Sequence, residues 1–435
     1  MIYRLFSLLI GIILLASCGV KDDGEARIRP SAPYDAYLFD LETAHLLDAA
    51  LSRQWQARGE AVLTTDAAPS LPFEGVSYFA AERPTAVAYR LTLRRGEQLH
   101  IDVAPTLDGR LFLDLFRIPA DTTLPLVRVL GSDSTFTHTL DIRRDDTYIV
   151  RLQPEVLASG QVRARLWTGP SLAFPVADHD SGDILSFFGA ARDGGRRRHH
   201  GVDVFAPRGT PVVAVANGPI TRVEDTNLGG KVVWQRDARR GLAIYYAHLD
   251  SQSVRPRQQV RIGDTLGTVG NTGNARTTPP HLHFGIYQRG PHDPLPFIDT
   301  DAPQPRPARV DAADLGIWHR TTASQTAVRA APGRRAEVLA SLPARTAVRS
   351  LGGTTGWLHI QLPDGRDGFV LRRSVQRAVP SFQIAQATSL VLRTPEASAL
   401  SIGEVTPDTQ ALGFFDGYAL VEASNGALGW VRRDA

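Results

Sequence analysis

Three short stretches carry the side chains with the most chemical potential. They are His199-His200-Gly201-Val202-Asp203, Tyr246-Ala247-His248-Leu249 and His281-Leu282-His283-Phe284. Side chains on a strand alternate faces, so His281 and His283 share one side while Leu282 turns to the core. The same parity places His199, Gly201 and Asp203 together and sends His200 with Val202 to the other side, which selects His199 as the partner of Asp203. Gly201 leaves room between those two for an ion or a substrate backbone. Two imidazoles and one carboxylate with an open fourth position are a donor set suited to catalytic zinc.

The elements around these residues must be strands. Val212-Val213-Ala214-Val215, Lys231-Val232-Val233-Trp234 and Gly241-Leu242-Ala243-Ile244-Tyr245-Tyr246 are apolar, β-rich runs separated by glycine-containing turns. Rigid β elements hold a metal site to narrow geometry. Each piece alone is commonplace: an isolated His-x-His or His-x-x-x-Asp is usually a surface or core histidine. Their order within one β-rich segment reverses that weighting. His45, His100, His138, His179 and His292 lack such a context and read as ordinary histidines, and Arg196-Arg197-Arg198 reads as a solvated loop.

Over roughly residues 172–298 the chain resembles the lysostaphin-like (LytM-type) zinc endopeptidases that cut peptidoglycan peptides. The resemblance rests on His199-x-Gly201-x-Asp203, on Ala206-Pro207-Arg208-Gly209-Thr210-Pro211-Val212, on His248, on Gly263 to Gly273, and on His281-x-His283. Thr277-Thr278-Pro279-Pro280 departs from the shorter Thr-Gly-Pro of many members but spares every site residue. The resemblance implies His199, Asp203 and His283 as ligands of Zn2+, and His248 and His281 as catalytic residues flanking the attacking water. It implies hydrolysis of peptide bonds in stem peptides or crosslinks. Two other readings are a non-hydrolytic envelope lipoprotein that binds peptidoglycan or activates an amidase, and an endopeptidase acting on proteins.

The rest of the chain divides around that segment. Its 435 residues suit about three domains of ordinary size. Residues 1–18 read as a lipoprotein signal peptide: Arg4, then an apolar run, then Leu15-Ala16-Ser17-Cys18, which resembles a bacterial lipobox and implies lipidation of Cys18. Cys18 is the single cysteine, which leaves no intrachain disulfide to form. Gly19 after it favours, by analogy with Gram-negative lipoproteins, the outer membrane; Lys21-Asp22-Asp23 resembles a surface-export tether. Residues 19–71 are expected to form a tether and an amphipathic helix, with Tyr37, Leu41, Ala44, Leu47, Leu51 and Trp55 on one stripe. Residues 72–170 alternate with period two and predict a β-sandwich, loosely similar to jelly-roll domains. Residues 171–300 form the endopeptidase segment, and Pro303, Pro305 and Pro307 mark a stiff linker over 301–315.

Beyond the linker lies an internal repeat. Val328-Arg329-Ala330-Ala331-Pro332 recurs as Leu392-Arg393-Thr394-Pro395, and Gly368-Phe369-Val370 as Gly429-Trp430-Val431. Two copies are too few for a solenoid, so 316–378 and 379–435 are expected to be two small barrels; both resemble bacterial Src-homology-3-like domains. Trp357 and Trp430 read as core aromatics. The predicted fold class is therefore mainly β and multidomain. The charges nearly balance, 48 basic against 45 acidic residues, and no basic helix or aromatic-interleaved basic patch is present, so no nucleic-acid partner is expected.

Overall fold

The computed structural model describes residues 28–64, 68–384, 389–406 and 408–433. The signal segment, Cys18 and the Lys21-Asp22-Asp23 tether lie outside them. The architecture is mainly β and built from several sheets, as the period-two patterning predicts.

The amphipathic stretch near the N-terminus forms two helices, α1 (Pro33–Thr43) and α2 (Ala50–Ala61), instead of one. The chain reverses at His45, whose φ is 56°, and Ala44 of the expected stripe is exposed. No glycine or proline announces the break. It is decided by packing, since two short helices can bring Tyr34, Tyr37 and Trp55 together around Phe112.

The sandwich uses β1 (Phe73–Phe79), β2 (Val87–Leu93), β3 (Glu97–Asp108), β4 (Leu111–Ile118), β5 (Val127–Ser132), β6 (Thr137–Asp141), β7 (Asp146–Pro154) and β8 (Ser159–Pro170). One sheet runs β2-β7-β4-β5; the other contains β1-β8-β3-β6, and the alternating apolar residues of both close on one core. A buried ion pair fastens the helices to it. Arg151 Nη2 donates to Asp114 Oδ2 at 2.5 Å, Nη1 donates to the Gly59 carbonyl at 3.3 Å, and the guanidinium lies 3.5 Å from the Tyr34 ring centroid. Asp114 has no exposed surface and Arg151 has 2%. Removing one partner strands the other charge away from water. Asp114→Ala is therefore expected to destabilise the sandwich by about 3–5 kcal/mol in urea denaturation followed by circular dichroism, whereas Asp114→Leu combined with Arg151→Met recovers most of that loss.

The segment bearing the site follows: β9 (Ile184–Ser186), β10 (Ala191–Arg192), β11 (Arg197–Arg198), β12 (Val202–Phe205), β13 (Pro211–Val213), β14 (Gly218–Thr226), β15 (Gly230–Asp237), β16 (Leu242–Gln252), β17 (Gln259–Val260), β18 (Thr265–Val269), β19 (His281–Tyr287) and β20 (Pro291–His292). Its main sheet is ordered β17-β14-β15-β16-β19-β12-β9 and is antiparallel throughout. Val202, Val204, Tyr246, Leu282 and Phe284 fill its core on one face, which leaves the other face for polar groups. The sandwich meets this unit through Arg95, which bonds Gln288 and His292, and through Asp141, which pairs with Arg239 and Arg240. Those residues flank the end of β19 and the start of β16, remote from His281 and His248 along both strands.

The C-terminal repeat is visible in the strand order. The first copy contains β21 (Trp318–Thr321), β22 (Thr326–Arg329), β23 (Val338–Leu342), β24 (Ala347–Thr354), β25 (Trp357–Gln361), β26 (Asp367–Leu371) and β27 (Val375–Arg377). The second contains β28 (Phe382–Gln383), β29 (Ser389–Leu392), β30 (Ser401–Val405), β31 (Gln410–Ala411), β32 (Gly413–Phe415), β33 (Tyr418–Glu422) and β34 (Leu428–Arg432). Pairing runs β23-β22-β26-β25-β24 in one and β30-β29-β34-β33-β32 in the other, the same path. The first copy is not a free-standing barrel. Its β24 pairs antiparallel with β1, Gly352 opposite Ser77 and Gly353 opposite Val76, so one 11-stranded sheet joins it to the sandwich. A Cβ on Gly352 would sit 2.3 Å from the Val76 carbonyl oxygen, so glycine permits the join. The proline-rich stretch packs along this seam: Ala308 is buried, and its N–H donates to the buried Glu74 carboxylate at 3.1 Å.

Candidate metal centre

Strand register builds the site. Asp203 on β12 lies directly opposite His283 on β19, and His283 in turn lies opposite Ala247 on β16. Directly opposed residues present their side chains on the same face within contact distance. His199 approaches from the turn preceding β12, which begins at Val202, so the alternation expected from 199 to 203 holds as strand only from 202 onward. Gly201 also differs from expectation. A Cβ there would lie 2.4 Å from the Phe284 carbonyl oxygen and 2.8 Å from His283 Cε1 and Nε2, so the space it leaves is taken by the His283 ring and the β19 backbone. Gly201→Ala is expected to push the His283 imidazole aside and weaken metal binding by about 10–100-fold, the scale of a disturbed supporting contact, as read by competition with a chromophoric chelator.

Three donor atoms converge. His199 Nε2 lies 3.0 Å from Asp203 Oδ1 and 2.9 Å from His283 Nδ1, and His283 Nδ1 lies 3.0 Å from Asp203 Oδ1. Zinc bonded tetrahedrally at about 2.0–2.1 Å requires neighbouring donors about 3.3 Å apart. The triangle therefore fits one face of such a coordination shell, with a small outward movement. The tautomers fit too. His199 Nδ1 lies 3.0 Å from the Phe187 carbonyl oxygen, which can only accept, so Nδ1 carries the proton and Nε2 turns a lone pair to the centre. Burial alone would raise the Asp203 carboxyl, but the two imidazoles beside it, His199 and His283, hold it well below the usual carboxylate range. Burial lowers the His283 pKa against the pull of Asp203, which favours the neutral ligand form.

His248 and His281 stand beside this triangle. Their ring centroids are 5.1 Å apart, and that of His248 is 5.9 Å from His283. Simple alternation would turn His248 to the face opposite Ala247, into the core with Tyr246. A bulge prevents this. The β15–β16 register slips beside Lys231, the β16–β18 register slips beside Leu249, and His248 adopts φ 63°. A left-handed non-glycine residue at a bulge re-aims a side chain at a local cost in strain. His248 Nδ1 then lies 2.9 Å from the Thr272 carbonyl and His281 Nδ1 lies 2.8 Å from the Pro279 carbonyl. Both nitrogens must be donors, which leaves each Nε2 as a base. Burial, with His283 and His281 adding to it, pulls the His248 pKa down to about 4, so it is neutral near pH 7.

Arg192 was not legible as a site residue in the sequence. It belongs to the small β10–β11 hairpin, and its Nη2 donates to Asp203 Oδ2 at 2.6 Å and to Ser186 Oγ at 2.6 Å. The hairpin thus takes one carboxylate oxygen while the two histidines face the other. An arginine in a polar turn has no periodicity or spacing that announces such a contact. Tyr245 is a second such neighbour, set edge-on to His283 at 5.9 Å. His200 lies on the exposed side, His179 pairs with Asp183 and His292 with Arg95, none of them at the centre.

Residues 197–294 match the family model described as Peptidase family M23, and residues 324–376 match that of the Bacterial SH3 domain. Cell division protein DipM of Caulobacter vibrioides (strain NA1000 / CB15N) is 36% identical over 140 residues, 32% of this chain and 20% of that protein. The L-Ala--D-Glu endopeptidase of Bacillus subtilis (strain 168) is 35% identical over 124 residues, 27% of this chain and 38% of that protein. The DD-carboxypeptidase/endopeptidase Mpg of Neisseria meningitidis serogroup B (strain ATCC 13091 / M2091) is 38% identical over 117 residues, 27% of this chain and 26% of that protein. The chain thus spans between 20% and 38% of the length of these relatives. Strand register, donor triangle and family match agree: the chain carries a peptidase family M23 domain and a bacterial SH3 domain, and its homologues include LytM-type, lysostaphin-like peptidoglycan endopeptidases.

Proposed function

We propose that this protein is a zinc-dependent endopeptidase that hydrolyses peptide bonds in peptidoglycan stem peptides or crosslinks. The observation that carries the reading is the triangle of His199, Asp203 and His283 donor atoms at 2.9–3.0 Å, with two further imidazoles whose Nδ1 atoms are tied to carbonyls. His199, Asp203 and His283 would hold the ion, which when bound supplies Lewis acidity toward a peptide carbonyl and a water molecule.

The remaining work falls to the chain. With Nδ1 protonated, the Nε2 of His248 or His281 accepts the proton of the attacking water. The imidazolium so formed stabilises the negative charge of the tetrahedral intermediate and then protonates the departing amine nitrogen, which returns it to the neutral base. Carbonyl anchors at Thr272 and Pro279 hold both rings in orientation, so little reorganisation is needed as charge develops. Arg192 keeps the Asp203 carboxylate turned with one oxygen inward.

The proposed setting is the cell envelope, with the chain lipid-anchored at Cys18, in the outer membrane of a Gram-negative bacterium. Among the described residues no helix is long and apolar enough to cross a membrane. The second barrel, 379–435, is proposed as a further Src-homology-3-like domain on the strength of its matching strand order.

Digestion of purified crosslinked peptidoglycan by the full chain in detergent, with products read by mass spectrometry, tests the reading. New stem-peptide fragments are expected, absent after chelation and restored by zinc. A chain that binds the wall and one zinc ion but releases no fragment would instead be a binding protein or an amidase activator.

A further inference from the structure

One loop, from Gly270 to Pro280 between β18 and β19, touches both His248 and His281. Near its end the Pro279 carbonyl anchors the His281 ring. Near its start every polar group of Thr272 is turned to the bulge that carries His248. The Thr272 carbonyl accepts from His248 Nδ1 at 2.9 Å, and its N–H donates to the His248 carbonyl at 3.4 Å. Its hydroxyl donates to the Leu249 carbonyl at 2.8 Å and accepts from the Lys231 N–H at 3.0 Å.

Lys231 and Leu249 face each other at the border of the register slip that turns His248 toward the metal centre. The Thr272 hydroxyl therefore joins β15 to β16 at the edge of the bulge. The left-handed backbone of His248 is strained, and such a conformation persists only where its surroundings hold it. Threonine suits the place: a hydroxyl donates and accepts at once, and the extended backbone of Thr272, φ −70° and ψ 169°, accommodates a β-branched residue. The approach is also close. A Cβ on Gly230, itself at φ 62°, would sit 2.2 Å from Thr272 Oγ1 and displace it.

We propose that Thr272 is a positioning residue for the hydrolysis, acting through His248. The assignment rests on the proposed function, in which His248 takes or returns a proton. The Thr272 hydroxyl sets the bulge, which fixes where the imidazole emerges from β16. Its carbonyl sets the rotation of the ring and keeps the proton on Nδ1, which leaves Nε2 for the reacting water. A misplacement of about 1 Å in a reacting group can cost about 10²-fold in rate. The metal donors are held from elsewhere, by the β12–β19 pairing and by the Phe187 and Arg192 contacts.

Thr272→Val keeps the shape of the side chain and removes the hydroxyl. With soluble crosslinked muropeptides as substrate, this variant of the full chain in detergent is expected to lose about 100-fold in kcat, with KM and zinc content close to the parent's. Thr272→Ser keeps both hydroxyl bonds and is expected to retain most of the parent's kcat. Thr268→Val is the control, because the Thr268 hydroxyl lies 2.8 Å from that of Ser251 and ties β18 to β16 away from the bulge. It is expected to lower the melting temperature without lowering kcat. An equal fall in kcat for Thr268→Val, or a serine variant as slow as the valine one, overturns the role and leaves Thr272 a stabilising residue. Crystal structures of the valine and serine variants add a readout that needs no turnover. His248 is expected to leave the left-handed region, or to lose the Thr272 carbonyl, in the valine variant only. An unmoved His248 ring there overturns the proposal, whereas a parent chain that releases no fragments overturns the hydrolase reading alone.

Discussion

Alanine at position 281 is expected to slow the release of peptidoglycan fragments by about 10²–10⁴-fold, the range of a lost general acid–base group, while the chain still binds one zinc ion. The two readouts separate because Leu282 anchors β19 in the core, fully buried, and His283 keeps its register opposite Asp203 whatever stands at 281. His281 also ties the loop at Pro279, so a loss in the alanine variant alone could reflect a displaced loop. Asparagine at 281 can still donate to that carbonyl but cannot serve as a base, and it should be as slow as alanine. The corresponding change at 248 is also asparagine, which tolerates the left-handed backbone that His248 adopts at φ 63°. If the two imidazoles act as one unit, the double variant loses little more than either single one. A His281→Asn chain that retains a third of the parent rate with zinc bound would remove His281 from the chemistry.

Asp203→Ala is expected to abolish zinc binding, with metal content measured by atomic absorption falling from one ion per chain to near zero. The change removes a donor and also uncovers a charge. Arg192, now bonded to Asp203 Oδ2, would be left facing two imidazoles without its carboxylate and would repel an incoming cation. Arg192→Ala isolates the supporting role: the donor triangle stays, the carboxylate loses its orienting partner, and affinity falls by the about 10–100-fold typical of such partners. Equal zinc content in Asp203→Ala and the parent would show that the ion is held elsewhere.

The hydrogen bonds at the site explain which histidines could be read from the sequence. His281 and His283 are two residues apart on one strand, and period two makes their shared face inevitable. His199 and Asp203 obey the same spacing, although β12 proper begins only at Val202. Composition and alternation were enough for the mainly β class, the sandwich pattern and the C-terminal repeat, because apolar residues must face a core in whatever sheet they join. The family resemblance supplied the roles of His248 and His281, which spacing could not.

Other features depended on contacts between segments distant in sequence. Local alternation sends His248 toward the core, and a bulge set by two flanking strands returns it to the site. Arg192 reaches Asp203 because a hairpin folds back over the sheet, a contact with no local signature. The helical stripe near the N-terminus breaks at His45 because Phe112, far along the chain, rewards two short helices over one long one. The first repeat shares a sheet with the sandwich because Gly352 lets β24 approach β1. The sequence by itself determined which side chains have the chemistry to bind a metal and that His281 and His283 share one face of a strand, since side-chain chemistry and strand period are local properties. Only the tertiary structure decided which side chains meet, because register, bulges and cross-chain arginine contacts are settled by the packing of the whole fold.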